Sequence, residues 1–117
     1  MRDRAKSEKS GRMAETAAAW WLRLKGWRIL AVRARTPVGE VDLVARRGRT
    51  LAFVEVKARA TEAGAAMALD QYRLRRVVVA AERLAPRFMR AGDELRIDAM
   101  FIIPGKLPRH LPNVWQG

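Results

Sequence analysis

Gly39-Glu40-Val41-Asp42-Leu43-Val44 and Phe53-Val54-Glu55-Val56-Lys57 are two hydrophobic runs interrupted by acids. Their β-branched and aromatic residues are typical of strands. Because side chains alternate between the faces of a strand, we expect Glu40 and Asp42 to share one face and Val41 and Leu43 the other. By the same alternation, Phe53, Glu55 and Lys57 should share a face. The acids therefore lie in surroundings that resemble a protein interior.

The two runs are predicted to form a hairpin with its turn near Gly48, which would bring Asp42 and Glu55 close together. Cross-strand neighbours are roughly 5 Å apart, within reach of one shared cation. Two partly buried carboxylates repel each other unless a cation neutralises them. A main-chain carbonyl near Val56 could supply a further oxygen ligand, and Lys57 could orient an attacking water. The alternative is an exposed sheet face on which Glu55 and Lys57 form an ordinary surface ion pair.

The composition limits the choice of metal and partner. The 117 residues contain no cysteine and one histidine, His110, so any metal would be held by oxygens, which favours Mg²⁺ or Mn²⁺. Lys and Arg number 24 against 12 acids, a net charge of +12 that would attract polyanions. The amino terminus lacks the apolar core of a signal peptide, and no stretch is long enough to span a membrane. We therefore expect a soluble cytoplasmic protein with a nucleic-acid partner.

The order of elements predicts an α/β domain. Residues 1–9 should form a basic mobile arm, and residues 10–117 a single domain with the order α-β-β-β-α-β. Ser10 is expected to cap a first helix that ends near Gly26. Glu15 borders the apolar stripe of this helix, where it could be a paired residue or could bind the metal directly or through water. The other predicted elements are strands at 27–32, 38–45, 50–58 and 94–103 and a second helix at 67–84.

The two acidic runs resemble the signature of the YraN-like family of small bacterial proteins. The resemblance covers nearly the whole chain and includes further positions outside the runs: Gly11 and Glu15, Gly26-Trp27, Gly64, the arginine-rich second helix and Arg96-Ile97-Asp98. That family is similar to restriction-endonuclease-like nucleases, among them Holliday-junction resolvases. The resemblance implies a mixed sheet flanked by helices and a metal site on Glu15, Asp42, Glu55 and Lys57. Ile97 and Gln71-Tyr72-Arg73 depart from the family pattern, although Gln71 could still approach a metal-bound water.

The predicted activity is a metal-dependent nuclease that hydrolyses phosphodiester bonds with a water on Mg²⁺ as nucleophile. DNA is the expected substrate ahead of RNA, and analogy with relatives suggests branched or flapped DNA. The alternatives are a non-catalytic nucleic-acid-binding module on the same fold and an interaction protein for an acidic partner. Trp20, Trp21 and Trp27 are interpreted as core or dimer contacts, so a homodimer is conceivable. The arginines expected to bind phosphates are Arg46, Arg47, Arg49, Arg59, Arg73, Arg75 and Arg76.

Overall fold

The computed structural model describes the backbone of residues 4–61, 63–64 and 70–115, and side chains within these ranges from Gly11 onward. The described residues form two long helices and five strands. In chain order these are α1 (Arg4–Leu24), β1 (Arg28–Thr36), β2 (Gly39–Arg47), β3 (Thr50–Ala58), α2 (Gln71–Phe88), β4 (Glu94–Ile102) and β5 (Arg109–Leu111). Neither helix, within the described part of the chain, combines the length and hydrophobicity needed to cross a bilayer.

The five strands form one mixed sheet in the order β1-β2-β3-β4-β5. Strands β3 and β4 are parallel, and the other neighbouring pairs are antiparallel. A parallel pair needs a crossover connection, and the segment that contains α2 provides it. The predicted α/β class and the mixed sheet flanked by helices are confirmed. The observed order adds a short strand, β5, to the predicted core.

The sheet is covered by a helix on each face, and each helix contributes to a separate hydrophobic cluster. On one face α1 packs Ala18 and Leu22 against strand residues such as Val54 and Met100. On the other face, the buried stripe of α2 packs against Phe53 and its neighbours. Both clusters are built on fully buried side chains, and burial of this kind is the main favourable term in folding.

Most predicted boundaries lie within a few residues of the observed ones, and β3 matches residue for residue. Helix α1 begins at Arg4, so Ser10 lies inside it and does not cap it, and residues 4–9 of the expected arm are helical. Helix α2 begins later than predicted because Asp70 caps it by accepting a hydrogen bond from the N–H of Arg73 at 2.9 Å. The start predicted at Met67 falls outside the described residues.

Side-chain alternation along β2 reverses at Asp42. Val41 belongs to the cluster under α2, whereas Leu43 belongs to the cluster under α1, so the prediction that they share a face is wrong. The pairing of β1 with β2 passes from Val32–Leu43 to Ala34–Val41 and omits Arg33 and Asp42 between them. Arg33 has a φ of 49°, in the left-handed region that non-glycine residues rarely adopt. The prediction that Glu40 and Asp42 share a face relied on regular alternation, and this kink breaks that alternation.

Candidate metal centre

Asp42 lies at the point where β2 and β3 separate. Their last ladder pair is Leu43–Val54, and beyond it Oδ2 of Asp42 accepts a hydrogen bond from the N–H of Val56 at 2.7 Å. The carboxylate thus takes the place of a main-chain acceptor. We call this point, where β2 and β3 separate beyond Leu43–Val54, the fork. In a ladder, the N–H and C=O of one residue point to the same neighbouring strand. The carbonyl of Val56 therefore leaves β3 on the side of Asp42.

Glu55 and Lys57 follow each other on the α2 face of β3. Oε1 of Glu55 lies 3.0 Å from Nζ of Lys57, and both side chains are about four-fifths buried, with 17% and 21% exposure. The expected face is confirmed, since Phe53 packs under α2 and Glu55 and Lys57 line a cleft beside the start of that helix. Their burial separates this pair from an ordinary surface ion pair.

Glu15 approaches the fork from the opposite face, on α1. Its Oε1 lies 2.9 Å from Nε of Arg33, at the kink in β1. The two groups are not aligned for a hydrogen bond, and this buried oxygen has no hydrogen-bond partner among the described residues. Arg33 already places a positive charge beside this oxygen, so the oxygen lacks only a hydrogen-bond donor such as a water, because an unsatisfied acceptor is costly.

The electrostatics of the fork oppose full ionisation of the acids. Burial and, after it, the neighbouring charge of Glu55 raise the pKa of Asp42 to about 7, although the Val56 hydrogen bond favours the charged form. Burial also raises the pKa of Glu15, and Arg33 only partly offsets it. Desolvation and like charges are the two causes expected where carboxylates share a dry site. Raised pKa values of this kind are common at functional sites.

These residues fit a magnesium-type centre better than a centre with three protein carboxylates. Within the described ranges, no three His, Asp or Glu side chains are grouped closely enough to hold an ion together. Asp42 and Glu55, with the Val56 carbonyl, would be the protein ligands, and Glu15 would contribute through water. Mg²⁺ is usually held by one or two carboxylates and retains several waters, so this donor set suits it. Oε1 of Glu15, which lacks a hydrogen-bond donor, suits contact with a metal-bound water.

The cleft on the α2 side has a volume of about 480 Å³. Glu55 and Lys57 line its floor, and Arg73 and Arg76 of α2 line its wall. Glu40 also lines it, and its Oε2 lies 3.4 Å from Nε of exposed Arg35, so it forms a surface ion pair. The cleft therefore brings two of the predicted phosphate-binding arginines beside the acids.

The other predicted arginines lie outside this cleft, and for Arg46 the prediction is wrong. Arg46 is buried and donates two hydrogen bonds to the carboxylate of Asp93, each 2.8 Å, and one to the carbonyl of Phe88. The side-chain bond to Arg46 holds the pKa of Asp93 at about 2. Arg46 is thus a structural residue: its two terminal nitrogens bond to Asp93 and Phe88, although its buried Nε has no partner among the described residues.

Arg47 and Arg49 lie near the turn of the β2–β3 hairpin, at the end of the strands away from Asp42. Five residues of strand separate Asp42 from Arg47, about 17 Å. Arg47 covers the ring of Trp27 at 4.7 Å. Arg75 is exposed on α2 outside the cleft. These arginines remain predicted phosphate contacts, but they are not part of the site.

Two further predicted side chains bond to backbone carbonyls. Arg59 donates to the carbonyl of Ala58 at 2.7 Å. Gln71 donates to the carbonyl of Val114 at 3.1 Å, so this bond of its amide is directed at the carboxyl-terminal segment. The predicted approach of Gln71 to a metal-bound water has no support from this contact.

A buried network around Asp98 was not predicted. Asp98 has no exposed surface and accepts hydrogen bonds from Arg96, from Nε2 of His110 at 2.7 Å and from the N–H of Asn113 at 2.9 Å. Burial raises the pKa of Asp98, but these bonds outweigh it and leave the pKa below its ordinary value. The network fastens β5 and the following residues to β4. An acid inside the apolar run 97–103 was the sequence signal for it.

Comparison with known proteins identifies relatives along nearly the whole chain. The model of the family described as "Uncharacterised protein family UPF0102" matches residues 14–102. A UPF0102 protein of Sphingopyxis alaskensis is 64% identical over 113 residues, which are 97% of this chain and 97% of the relative. A UPF0102 protein of Rhizorhabdus wittichii is 58% identical over 117 residues, 100% of this chain and 99% of the relative. The chain therefore belongs to the uncharacterised UPF0102 family, and the resemblance to the YraN-like family is confirmed.

Proposed function

We propose that this protein is a metal-dependent nuclease that hydrolyses phosphodiester bonds, with DNA as the expected substrate. The observation that carries the proposal is the fork at Asp42. There, a desolvated carboxylate accepts a hydrogen bond from the strand that carries a second acid and a largely buried lysine, and the second acid and the lysine line the cleft. Structural ion pairs alone do not require an acid whose pKa is raised to about 7.

Each residue has a separate task in this proposal. Asp42, Glu55 and the Val56 carbonyl would hold Mg²⁺ or Mn²⁺, and Glu15 would support the ligand shell through water. When bound, the cation supplies Lewis acidity and lowers the pKa of a coordinated water. Lys57 lies beside Glu55 at 3.0 Å, where its ammonium can orient the attacking water and offset charge on the phosphate.

The walls of the cleft suit a phosphate backbone. Arg73 and Arg76 belong to the first two turns of α2 and line the cleft together with Glu55 and Lys57, and Nε of Arg73 lies 3.5 Å from Oδ2 of Asp70. The planar guanidinium of arginine donates paired hydrogen bonds to phosphate, and such contacts carry no sequence information by themselves. The net charge of +12 would add long-range attraction, which predicts binding that weakens steeply with salt.

The test is cleavage of labelled single-stranded, nicked and branched DNA with Mg²⁺ or Mn²⁺. Asp42→Asn and Lys57→Met should each reduce the cleavage rate by about 10²-fold or more, since they remove a ligand and a water-orienting group. Matched controls are Glu94→Gln and Lys25→Met, which make the same charge changes at exposed positions near the far end of the sheet. Both controls should cut at the wild-type rate.

The result also decides between the enzyme and a binding module. DNA binding that survives Asp42→Asn while cleavage disappears supports the nuclease. Wild-type protein that binds DNA and cuts no substrate with either metal contradicts the nuclease and supports the non-catalytic module. Loss of cleavage in the two control variants would contradict the assignment of the site to the fork.

A further inference from the structure

A second hollow opens on the α1 face of the sheet, on the other side from the cleft. Its volume is about 160 Å³, and it lies between α1 and the kinked part of β1. Glu15 is one of its lining residues, so this hollow adjoins the acid of the site that α1 carries. The residues that line it are Arg12, Glu15, Thr16, Ala19, Arg23, Val32 and Arg33.

The charge of this hollow suits an anion. Three of its seven lining residues are arginines, and the acid among them, Glu15, already lies 2.9 Å from Arg33. Arg12 and Arg23 therefore give the rim an excess of positive charge. Oppositely charged surfaces promote association, whereas like charges oppose it. The hollow is accordingly a site for a negatively charged group.

An exposed aromatic ring borders the hollow. Arg23, one of the lining residues, lies over the ring of Trp20 at 5.3 Å, and Trp20 is 61% exposed. Of the three tryptophans predicted to make core or dimer contacts, Trp27 is buried and Trp21 packs against the α1 cluster, whereas Trp20 lies outside the core. Val32, 49% exposed on the opposite wall, adds a second apolar surface.

A second copy of the chain is a poor occupant of this surface. Met13, Trp20 and Leu24 form an exposed apolar stripe along α1, but arginines flank it. Packing two such helices together would bring the arginines of both copies close, which like-charge repulsion disfavours. A polyanion that also carries flat apolar groups meets both requirements of the surface, and a nucleic acid with unpaired bases has that chemistry.

We propose that the hollow and the Trp20 ring bind an unpaired nucleotide of a single-stranded nucleic acid segment. The base stacks on Trp20, and the adjoining phosphate lies against Arg12 and Arg23. Aromatic side chains and a basic groove are the two parts that single-strand binding requires. A hollow of about 160 Å³ is large enough for a phosphate group, and Trp20 can stack only on a base whose ring face is not covered within a duplex. The inference rests on the proposed function for its ligand class and narrows the substrate to one with a single-stranded part next to the cut.

Equilibrium binding without divalent metal tests this site independently of cleavage. The probes are fluorescein-labelled oligo-dT of about 20 nucleotides and a duplex of the same length, measured by anisotropy in EDTA. Trp20→Ala should weaken oligo-dT binding about tenfold, since one stacked base contributes that much, and should change duplex binding less than twofold. Trp20→Phe should keep most of the affinity. The matched control is Tyr72→Ala, an aromatic side chain 80% exposed on α2, which should leave both affinities unchanged.

The outcomes separate this inference from the proposed function. Unchanged oligo-dT binding in Trp20→Ala, or an equal loss for both probes, overturns the single-strand site, while metal-dependent cutting by the wild type would still stand. If Trp20→Ala binds oligo-dT as the wild type does but no longer forms a stable complex with a second copy or another protein, the exposed stripe of α1 is a protein contact. Failure of the wild type to bind oligo-dT overturns the inference directly. Circular dichroism of Trp20→Ala checks that the fold is retained.

Discussion

Replacing Asp42 by asparagine should stabilise the metal-free protein at high pH. Asparagine keeps an oxygen that can accept the Val56 hydrogen bond, but it carries no charge to desolvate and none to repel Glu55. The pKa of Asp42 in the folded protein is about 7, against 3.8 for the ordinary group. A difference of about three pH units corresponds to roughly 4 kcal/mol of destabilisation when the group is fully ionised.

The sign of the pH dependence follows from the raised pKa. Between about pH 4 and 7 the folded protein keeps the Asp42 proton that the unfolded chain releases, so the free energy of unfolding falls as pH rises through this range. Above about pH 7 the folded protein holds Asp42 ionised in a place that disfavours the charge, and the loss is complete. Asp42→Asn lacks this loss. The two proteins should be equally stable near pH 4, and the variant should be more stable by about 2–4 kcal/mol at pH 8.5.

The measurement is urea unfolding in EDTA between pH 4 and 8.5, followed by far-UV circular dichroism. A difference between the two proteins that is constant across this range would refute the reasoning, because Asp42 would then not be the group that titrates. Adding Mg²⁺ at pH 8.5 provides a second arm. A ligand at 100 times its Kd stabilises the folded state by about 2.7 kcal/mol, and we expect that gain in the wild type and not in the variant. Equal stabilisation of both proteins would show that Asp42 does not hold the metal.

Substitutions at three further positions test the surrounding structure. Arg33→Ala and Arg33→Gly both remove the guanidinium, but only glycine accepts a φ of 49° without strain. The alanine variant should therefore be less stable than the glycine variant by roughly 1 kcal/mol in urea unfolding. Equal stabilities of the two variants would contradict a strained kink. Asp98→Ala leaves Arg96 without its buried partner and should lower the free energy of unfolding by about 3–5 kcal/mol, and a change below 1 kcal/mol would show that the network is dispensable. Asp93→Asn should destabilise the protein at pH 7, opposite in sign to Asp42→Asn, because Arg46 lowers the pKa of Asp93. The difference in the free energy of unfolding between variant and wild type should persist above pH 4 and vanish as pH falls through about 2. A variant that is more stable than the wild type at pH 7 would contradict that cause.

Local patterns in the sequence predicted the fold well because they report directly on backbone geometry. The β-branched run at 50–58 and the helical repeat of α2 each specify one element, and both were found. Strand β5 was missed because three residues between prolines carry too little periodicity. It exists because Asp98 binds His110 and Asn113, a long-range contact that no local pattern reports.

The candidate site was predicted in its members but not in its geometry. Alternation placed Glu55 and Lys57 on the correct face, yet it failed at Asp42, because a left-handed arginine on the neighbouring strand reverses the pleat there. Arg46 was misjudged for a related reason. Arg46 stands in a basic stretch that looks like a turn, but β2 extends through Arg46. Its hydrogen-bond partner, Asp93, is 47 positions further along the chain, so no local pattern reports it.

The kink at Arg33 also bears on how the molecule avoids self-association. Strand β1 is one margin of the sheet, and a long flat margin would offer free N–H and C=O groups to a strand from another molecule. A left-handed residue in its middle interrupts that template, and Arg28, Arg33 and Arg35 add repulsion along it. At the opposite margin, β5 is three residues long and leaves little template for growth. Both margins thus discourage the stacking of chains into fibrils.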